Sequence, residues 1–101
     1  MSVIPKTTQA TVVTAGTRVS VVAADTEQVV GIVFSAPSTN TGTVFLGDVT
    51  VSSSNGVPIA KGTALNQINA PDGQFLDLKA FNVDAATSGD KLNIFYLKKV
   101  N

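Results

Sequence analysis

The run of residues 29–36 constrains the fold more than any other stretch of this sequence. It is rich in β-branched and aromatic residues and apolar on both faces, and its length suits a strand that is buried from both sides. A polar segment ending in Asn40-Thr41-Gly42 follows, and residues 43–47 form a second apolar run. Because Asn and Gly tolerate a positive φ, the sequence predicts that residues 29–47 form a hairpin crossing a hydrophobic core.

Short strand-like runs recur along the rest of the chain, separated by turn residues. Further strands are predicted for residues 11–13, 17–23, 48–51, 63–68, 75–83 and 91–100. Asn55-Gly56 and Pro71-Asp72-Gly73 predict turns. Pro58 has no N–H to donate, which places residues 57–62 at a sheet edge or outside the sheet. About eight short strands, spaced by roughly ten residues and without a helical period, predict an all-β fold, an antiparallel β-sandwich or jelly roll.

A chain of 101 residues is expected to form one domain with a modest core. We expect residues 9–101 to form a single β-sandwich domain and residues 1–8 to form an N-terminal extended arm, although a frayed terminus is the alternative. In residues 75–83 the apolar phase slips near Lys79, which predicts a bend or bulge there. The expected core side chains are Val30, Ile32, Phe34, Val44, Leu46, Leu78, Phe81, Leu92 and Ile94.

Charge and composition limit the function. Charged residues make up only 14% of the chain and balance to zero, whereas a nucleic-acid surface needs clustered Lys and Arg. Low charge with 44% hydrophobic residues favours association with other copies. Cysteine is absent, so no disulfide or thiolate chemistry is expected. No signal peptide or membrane-spanning run is recognised, which predicts synthesis in a cytoplasm, without a membrane partner.

The search for a catalytic constellation ends without a candidate. Without His or Cys, acid–base chemistry would fall to seven carboxylates, namely Asp25, Glu27, Asp48, Asp72, Asp77, Asp84 and Asp90. Most lie in predicted turns, where Asp caps backbone groups, and nothing selects a pair for glycoside hydrolysis. Asp84 and Asp90 bracket a loop with calcium-compatible oxygens, but the spacing matches no known calcium loop. The aromatic residues fall in predicted strands and are expected in the core. We therefore expect no enzyme activity, cofactor, metal or small-molecule substrate.

Several motifs follow one another in a characteristic order along the chain. They are Gly31-Ile32-Val33-Phe34-Ser35-Ala36, then Asn40-Thr41-Gly42-Thr43-Val44-Phe45-Leu46-Gly47-Asp48, Val51, Gly56-Val57-Pro58-Ile59 with Lys61-Gly62, and a last strand from Val83 through Gly89-Asp90-Lys91 to Tyr96-Leu97. In its order and spacing this series resembles the small virion proteins of tailed bacteriophages. The similarity covers about two thirds of the chain. It implies a β-sandwich subunit of the particle, often a capsid cement or decoration protein and sometimes a fibre or tail component, with no catalytic residues.

This resemblance implies a non-enzymatic structural role. We expect a virion structural protein that stabilises the capsid shell as a homotrimer, with other copies of itself and the major capsid protein as partners and with no nucleic-acid partner. It would be made in the host cytoplasm and lie on the capsid surface of the virion. The alternative is a binding module of a head fibre or tail component that recognises a receptor or carbohydrate.

The candidate interaction residues come from the arm and from predicted loop tips. An extended arm binds a strand edge through its backbone and anchors itself by alternate side chains, and loops at the ends of a sandwich often carry recognition. The residues selected on this basis are Val3, Ile4, Asn40, Thr41, Gly42, Asn55, Gly56, Asp72 and Gly73.

Overall fold

The computed structural model describes residues 2–24 and 28–100, which form eight strands in two antiparallel sheets. The strands are β1 (Ser2–Thr11), β2 (Val19–Ser20), β3 (Val29–Ser35), β4 (Val44–Gly47), β5 (Val57–Ile59), β6 (Ile68–Asn69), β7 (Asn82–Ala85) and β8 (Lys91–Val100). Sheet A has the order β1-β8-β3-β6, and sheet B has the order β2-β7-β4-β5. The predicted all-β antiparallel sandwich of about eight strands is confirmed.

The core lies between the two sheets and contains side chains from both. Phe34 of β3 is fully buried. The centroid of its ring lies 5.2 Å from that of Phe81, and the two ring planes form an angle of 45°. The predicted core residues that are buried are Ile32, Phe34, Val44, Leu46, Leu78, Leu92 and Ile94. Phe81 is half-buried against this cluster. Val30 is also half-buried, because the register between β3 and β8 shifts between Val29 and Gly31.

The predicted hairpin over residues 29–47 is wrong, since β3 lies in sheet A and β4 in sheet B. After β3 the chain does not turn back on itself. Instead the Ala36 N–H donates to the Thr63 carbonyl, and the Gly62 N–H donates to the Ala36 carbonyl. The residue that follows β3 is therefore bonded to a later segment of the chain. Residues 36–43 then cross from sheet A to sheet B.

Several weaker strand predictions also differ from the structure. Residues 48–51, predicted as a strand, form a turn in which the Val51 N–H donates to the Asp48 carbonyl. Of residues 17–23 only Val19–Ser20 is a strand, and of residues 63–68 only Ile68 is in one. Short strands are less easily predicted because few ladder hydrogen bonds hold them and tertiary packing decides their ends.

The predicted bend near Lys79 is a turn of 3-10 helix over Leu78–Ala80. A 3-10 turn has three residues per turn, so Leu78 and Phe81 lie on the same side and both face the core. A regular β-strand would place these two side chains on opposite faces. This explains the slip in the apolar pattern. The strand that follows, β7, begins only at Asn82.

Residues 2–8, which were predicted to belong to an arm, lie in β1. That strand pairs with β8 without interruption from Ser2 opposite Val100 to Thr11 opposite Lys91. The segment is extended, as predicted, but its partner is β8 of the same chain, and the register has no break at residue 8. Met1 lies outside the described residues.

Both prolines that fall within strands lie on strands at a sheet edge. The Val12 N–H donates to the Asp90 carbonyl at 2.9 Å, and hydrogen bonds alternate along an antiparallel pair. The even-numbered residues of β1 therefore bond to β8, and the backbone groups of odd-numbered residues point to the free edge. Pro5 is one of the latter, so its missing N–H costs no ladder hydrogen bond. Pro58 lies in β5, the outermost strand of sheet B, which confirms its predicted edge position.

Candidate interaction surface

The side of sheet A that faces away from the core is uncharged over most of its length. Directly opposed residues of an antiparallel pair lie on the same face, so the register of β1, β8 and β3 defines this surface. We call it the outer face, and its members are Val3, Pro5, Thr7, Gln9, Gly31, Val33, Ser35, Asn93, Phe95 and Leu97. Lys91 and Lys99 lie on the same side at the two ends of β8.

The centre of the outer face is apolar. Phe95 is 40% exposed, and Val33 and Leu97 are half-buried. Val3, which is 50% exposed, extends the apolar area towards the end of the face at Lys99. Gly31 makes room for its cross-strand neighbour, since a Cβ at this position would lie 3.4 Å from Leu97 Cδ1 and 3.0 Å from Gln67 Nε2. A larger residue at position 31 would push these side chains away from the sheet. The glycine therefore keeps this part of the face flat.

Polar side chains without charge surround the apolar centre near its Thr7 end. Gln9 Nε2 donates to Asn93 Oδ1 at 2.7 Å across β1 and β8. Beside this pair a shallow groove of about 510 Å³ runs past Thr7, Val33 and Phe95. An apolar centre with a polar surround and charges only at the ends is the composition of a protein–protein contact rather than of a charged-ligand site.

Sequence reasoning missed the outer face because it assigned the aromatic residues to the core. The alternation of β8 contained the necessary signal. The alternation places Phe95 and Leu97 on one face of β8 and Leu92 and Ile94 on the other, and Leu92 and Ile94 are buried. When one phase of a strand fills the core, apolar residues in the other phase must face outward.

Three of the nine candidate residues meet at one end of the outer face. Val3, Asp72 and Gly73 line a groove of about 380 Å³, together with the apolar residues Val30, Ala70 and Phe75. The turn forms as predicted, since the Gln74 N–H donates to the Pro71 carbonyl and Gly73 has a φ of 77°. Ile4 is half-buried, and its position in β1 places its side chain on the opposite side of the sheet from Val3.

Asn40, Thr41 and Gly42 lie at the other end of the sandwich and are held by β8. Asn40 Nδ2 donates to the Lys91 carbonyl at 2.8 Å, and the Lys91 N–H donates to Asn40 Oδ1 at 2.8 Å. The Asp90 carboxylate accepts the N–H groups of Thr41 and Gly42, each at 2.8 Å. These contacts fasten the connection between the sheets to sheet A, so the loop has a structural role in the isolated chain.

Asn55 and Gly56 lie in the connection between β4 and β5, away from the other candidates. The backbones of Asn55 and Ser52 exchange two hydrogen bonds, which closes a tight turn. A Cβ at Gly56 would lie 2.7 Å from Val51 Cγ2, so glycine is required there by the close approach of Val51. Both residues are exposed.

The acidic residues act as acceptors for backbone groups wherever the structure describes their bonds. Asp84 Oδ1 accepts the Gly16 N–H at 3.0 Å, and it also accepts the N–H of Ala85. Asp48 Oδ1 accepts the hydroxyl of Thr50 at 2.6 Å and its N–H at 2.8 Å. The Thr50 hydroxyl, followed by its N–H, lowers the pKa of Asp48 from its ordinary value. Asp25 and Glu27 lie outside the described residues.

No metal centre stands out in the described part of the chain. Residues 2–24 and 28–100 contain no cluster of three or more metal-ligating His, Cys, Asp or Glu side chains. They also contain no helix that is long and apolar enough to span a membrane. Comparison with known proteins found no matching family model, no matching curated protein and no matching solved structure.

Proposed function

We propose that this chain is a structural protein of a bacteriophage particle, a capsid cement or decoration protein that stabilises the shell as a homotrimer. The observation that carries the proposal is the outer face, because an apolar, uncharged surface of this kind suits contact with protein. The resemblance of the strand and turn motifs to small virion proteins supports the placement in a phage particle. In this proposal the protein acts by packing and not by catalysis.

The size of the outer face favours a role in which several contacts form together. Each of the two long strands has ten residues, or about 33 Å, and three strands are about 15 Å wide. The flat area of the face is therefore about 500 Å², not counting the extra surface of protruding side chains. A standard protein–protein interface buries about 800 Å² per partner. One such contact is modest. Copies held in a ring or on a lattice gain affinity from simultaneous contacts.

The outer face is proposed to join copies within the trimer, and the end groove to meet the major capsid protein. Val3, Asp72, Gly73 and Phe75 lie together there, and they combine apolar area with polar groups. Cyclic three-fold symmetry would let each copy use one part of its surface against the next. It also matches the three-fold positions of a capsid lattice.

The decisive experiment counts the copies of this chain in purified phage particles by quantitative mass spectrometry. A capsid cement protein is expected at hundreds of copies per particle, because it follows the symmetry of the shell. Detection of only a few copies would place the chain in a tail or fibre. Its absence from intact particles would overturn the structural role.

One structural feature favours the alternative, a binding module of a head fibre or tail component. Phe75 was predicted in a strand, yet it lies in a loop and is 50% exposed. Asp72, Gln74 and Lys99 line the same groove, and an exposed aromatic ring beside polar groups suits a sugar ring. Glycan-array binding that is lost in Phe75→Ala, with a low copy number per particle, would establish this function instead.

A further inference from the structure

The free edge of β1 is a second surface that is available for pairing. β1 is the last strand of sheet A, and among the described residues it is paired only with β8. The alternation fixed by the Val12–Asp90 hydrogen bond directs the N–H and C=O groups of Thr7, Gln9 and Thr11 away from β8. A long unpaired edge of this kind is a template for another strand.

We propose that residues 7–11 of β1 pair antiparallel with the same residues of a second copy. The two-fold axis passes between the two Gln9 residues, perpendicular to sheet A. Thr7 then lies opposite Thr11 of the second copy, and each opposed pair of outward-directed residues exchanges two hydrogen bonds. The contact is isologous, so both copies contribute the same residues, and the two A sheets become one continuous sheet.

Pro5 and the end of β1 at Thr11 together select this register among the symmetric ones, because an axis nearer Thr11 leaves fewer residues of β1 paired. Proline has no N–H, so a pairing centred on Pro5 or on Thr7 would place a carbonyl opposite a missing donor. When the axis is at Gln9, the position opposite Pro5 is residue 13, which lies beyond the end of β1. Every backbone donor and acceptor that the register uses is then satisfied.

The side chains and charges in residues 7–11 also suit a second copy of the same strand. The segment contains no charged residue, so symmetric pairing brings no like charges together. Its three threonines are β-branched and pair well across strands. Lys6 lies just outside the paired residues and points its side chain to the opposite face from Thr7.

The space beside the β1 edge supports the same arrangement. A groove of about 440 Å³ lies between the edge of β1 and β2, and Thr8, Ala10 and Val21 are among the residues that line it. In the proposed pair, Thr8 and Ala10 of the second copy lie in this groove. The space beside β1 therefore leaves room for the second strand.

The proposed pairing goes beyond the role in a phage particle, because it depends only on the β1 edge. It would double whatever assembly the outer face forms, whether from one chain to two or from three chains to six. Failure of the trimer would leave the doubling intact, and failure of the doubling would leave the trimer intact. The two proposals are therefore tested separately.

Sedimentation equilibrium of the full chain tests the proposal with a matched pair of variants. Gln9→Pro removes the outward N–H and no backbone hydrogen bond to β8, whereas Gln9→Ala keeps the N–H. Both variants lose the side-chain bond from Gln9 to Asn93, so that loss is matched between them. We expect wild type and Gln9→Ala to double with the same dissociation constant at up to millimolar concentration, and Gln9→Pro to double at least tenfold more weakly. Equal doubling by Gln9→Pro, or no doubling by the wild type, would overturn the proposal.

Amide hydrogen exchange of the wild-type chain gives a test that needs no substitution. The N–H groups of Thr7, Gln9 and Thr11 should exchange rapidly in dilute solution and become protected as concentration rises. Those of Thr8 and Ala10 bond to β8 and should be protected throughout, which makes them internal controls. Rapid exchange of the three outward amides at every concentration would show that this edge is unpaired and would refute the proposed contact.

Discussion

At the scale of single residues, Asn40 is the polar side chain whose role is best defined. Its amide exchanges two hydrogen bonds with the backbone of Lys91, in the way that a residue of a neighbouring strand would. Asn40 is buried, at 6% exposed, so its loss would leave a donor and an acceptor without partners in a site with little access to water.

We predict that Asn40→Ala lowers the free energy of unfolding by about 1–3 kcal/mol, because buried polar groups lose their partners. Asn55→Ala is the matched control. Asn55 is exposed and its side-chain bonds to Thr50 are 3.1 and 3.3 Å long, so the cost should be below about 0.5 kcal/mol. Urea denaturation measures both variants, and an Asn40→Ala midpoint equal to that of the control would refute this role.

Asp48 gives a prediction about pH. Thr50 donates two hydrogen bonds to its carboxylate, which lowers the pKa of Asp48 in the folded state. A lowered folded pKa contributes stability above the unfolded pKa, and this contribution disappears as the pH falls through the folded pKa. We expect Thr50→Val to raise the Asp48 pKa towards its ordinary value, as measured by NMR titration. An unchanged Asp48 pKa in the variant would contradict the assignment.

The role of a residue could be predicted where neighbouring residues of the sequence form a recognisable hydrophobic pattern. The buried state of Ile32 and Phe34 followed from their place in an apolar run, because burial of such a run is a local requirement. The role of Asn40 did not follow, since its partner Lys91 is 51 residues away and nothing in either segment indicates the other. For the same reason the loop tip at Asn40 was expected to contact a partner.

At the scale of elements, β1 is the strand whose two edges differ most. One edge pairs with β8 over the whole strand, and the other has no strand partner among the described residues. The side on which each N–H lies alternates with residue number. Neighbouring residues of similar chemistry therefore have different importance, and Thr7 and Thr8 are such a pair.

We predict that Thr8→Pro destabilises the fold and that Thr7→Pro has little effect. The first removes an N–H that bonds to β8, at a cost of about 1–3 kcal/mol, whereas the second removes an N–H at the free edge, where Pro5 is already accepted. For a chain of this size, 1 kcal/mol corresponds to about 4–8 °C in melting temperature. Calorimetry distinguishes the two variants, and equal losses would contradict the hydrogen-bond pattern assigned to β1.

Of the two ten-residue strands only β8 could be predicted from the sequence, since residues 1–8 of the other were expected to form an arm, and strand pairing could be predicted less well still. The alternation of residues 91–100 predicted β8 with its observed bounds, because the core fixes every second residue. Residues 48–51 have the same β-branched character but form a turn around Asp48. The sheet that β4 joins depends on the contacts of residues 36–43 with a distant segment, so the predicted hairpin failed.

At the scale of the whole molecule, the two sheets differ in what they present to the outside. Sheet A contains both ten-residue strands and the uncharged outer face, whereas the strands of sheet B have two to four residues. The fold class could be predicted because regular short strands must pack in two layers to cover their apolar faces. The asymmetry between the sheets could not, since it depends on which strands share a sheet.

The proposed self-association through the outer face is the feature of the whole molecule that is most open to test. We predict that light scattering coupled to size exclusion gives about three chains for the wild type and one for Phe95→Asp. A carboxylate at the centre of the contact would lose its hydration without gaining a partner. Phe95 is 40% exposed in the single chain, so the variant should keep its melting temperature.

Val13→Asp is the control, because Val13 is 73% exposed and is not part of the outer face. It introduces the same charge and should leave the mass of the assembly unchanged. If Val13→Asp dissociates the assembly as well, the added charge and not the outer face is responsible. If Phe95→Asp retains the wild-type mass, the copies meet through another surface, and the outer face is then free for the proposed contact with a capsid shell.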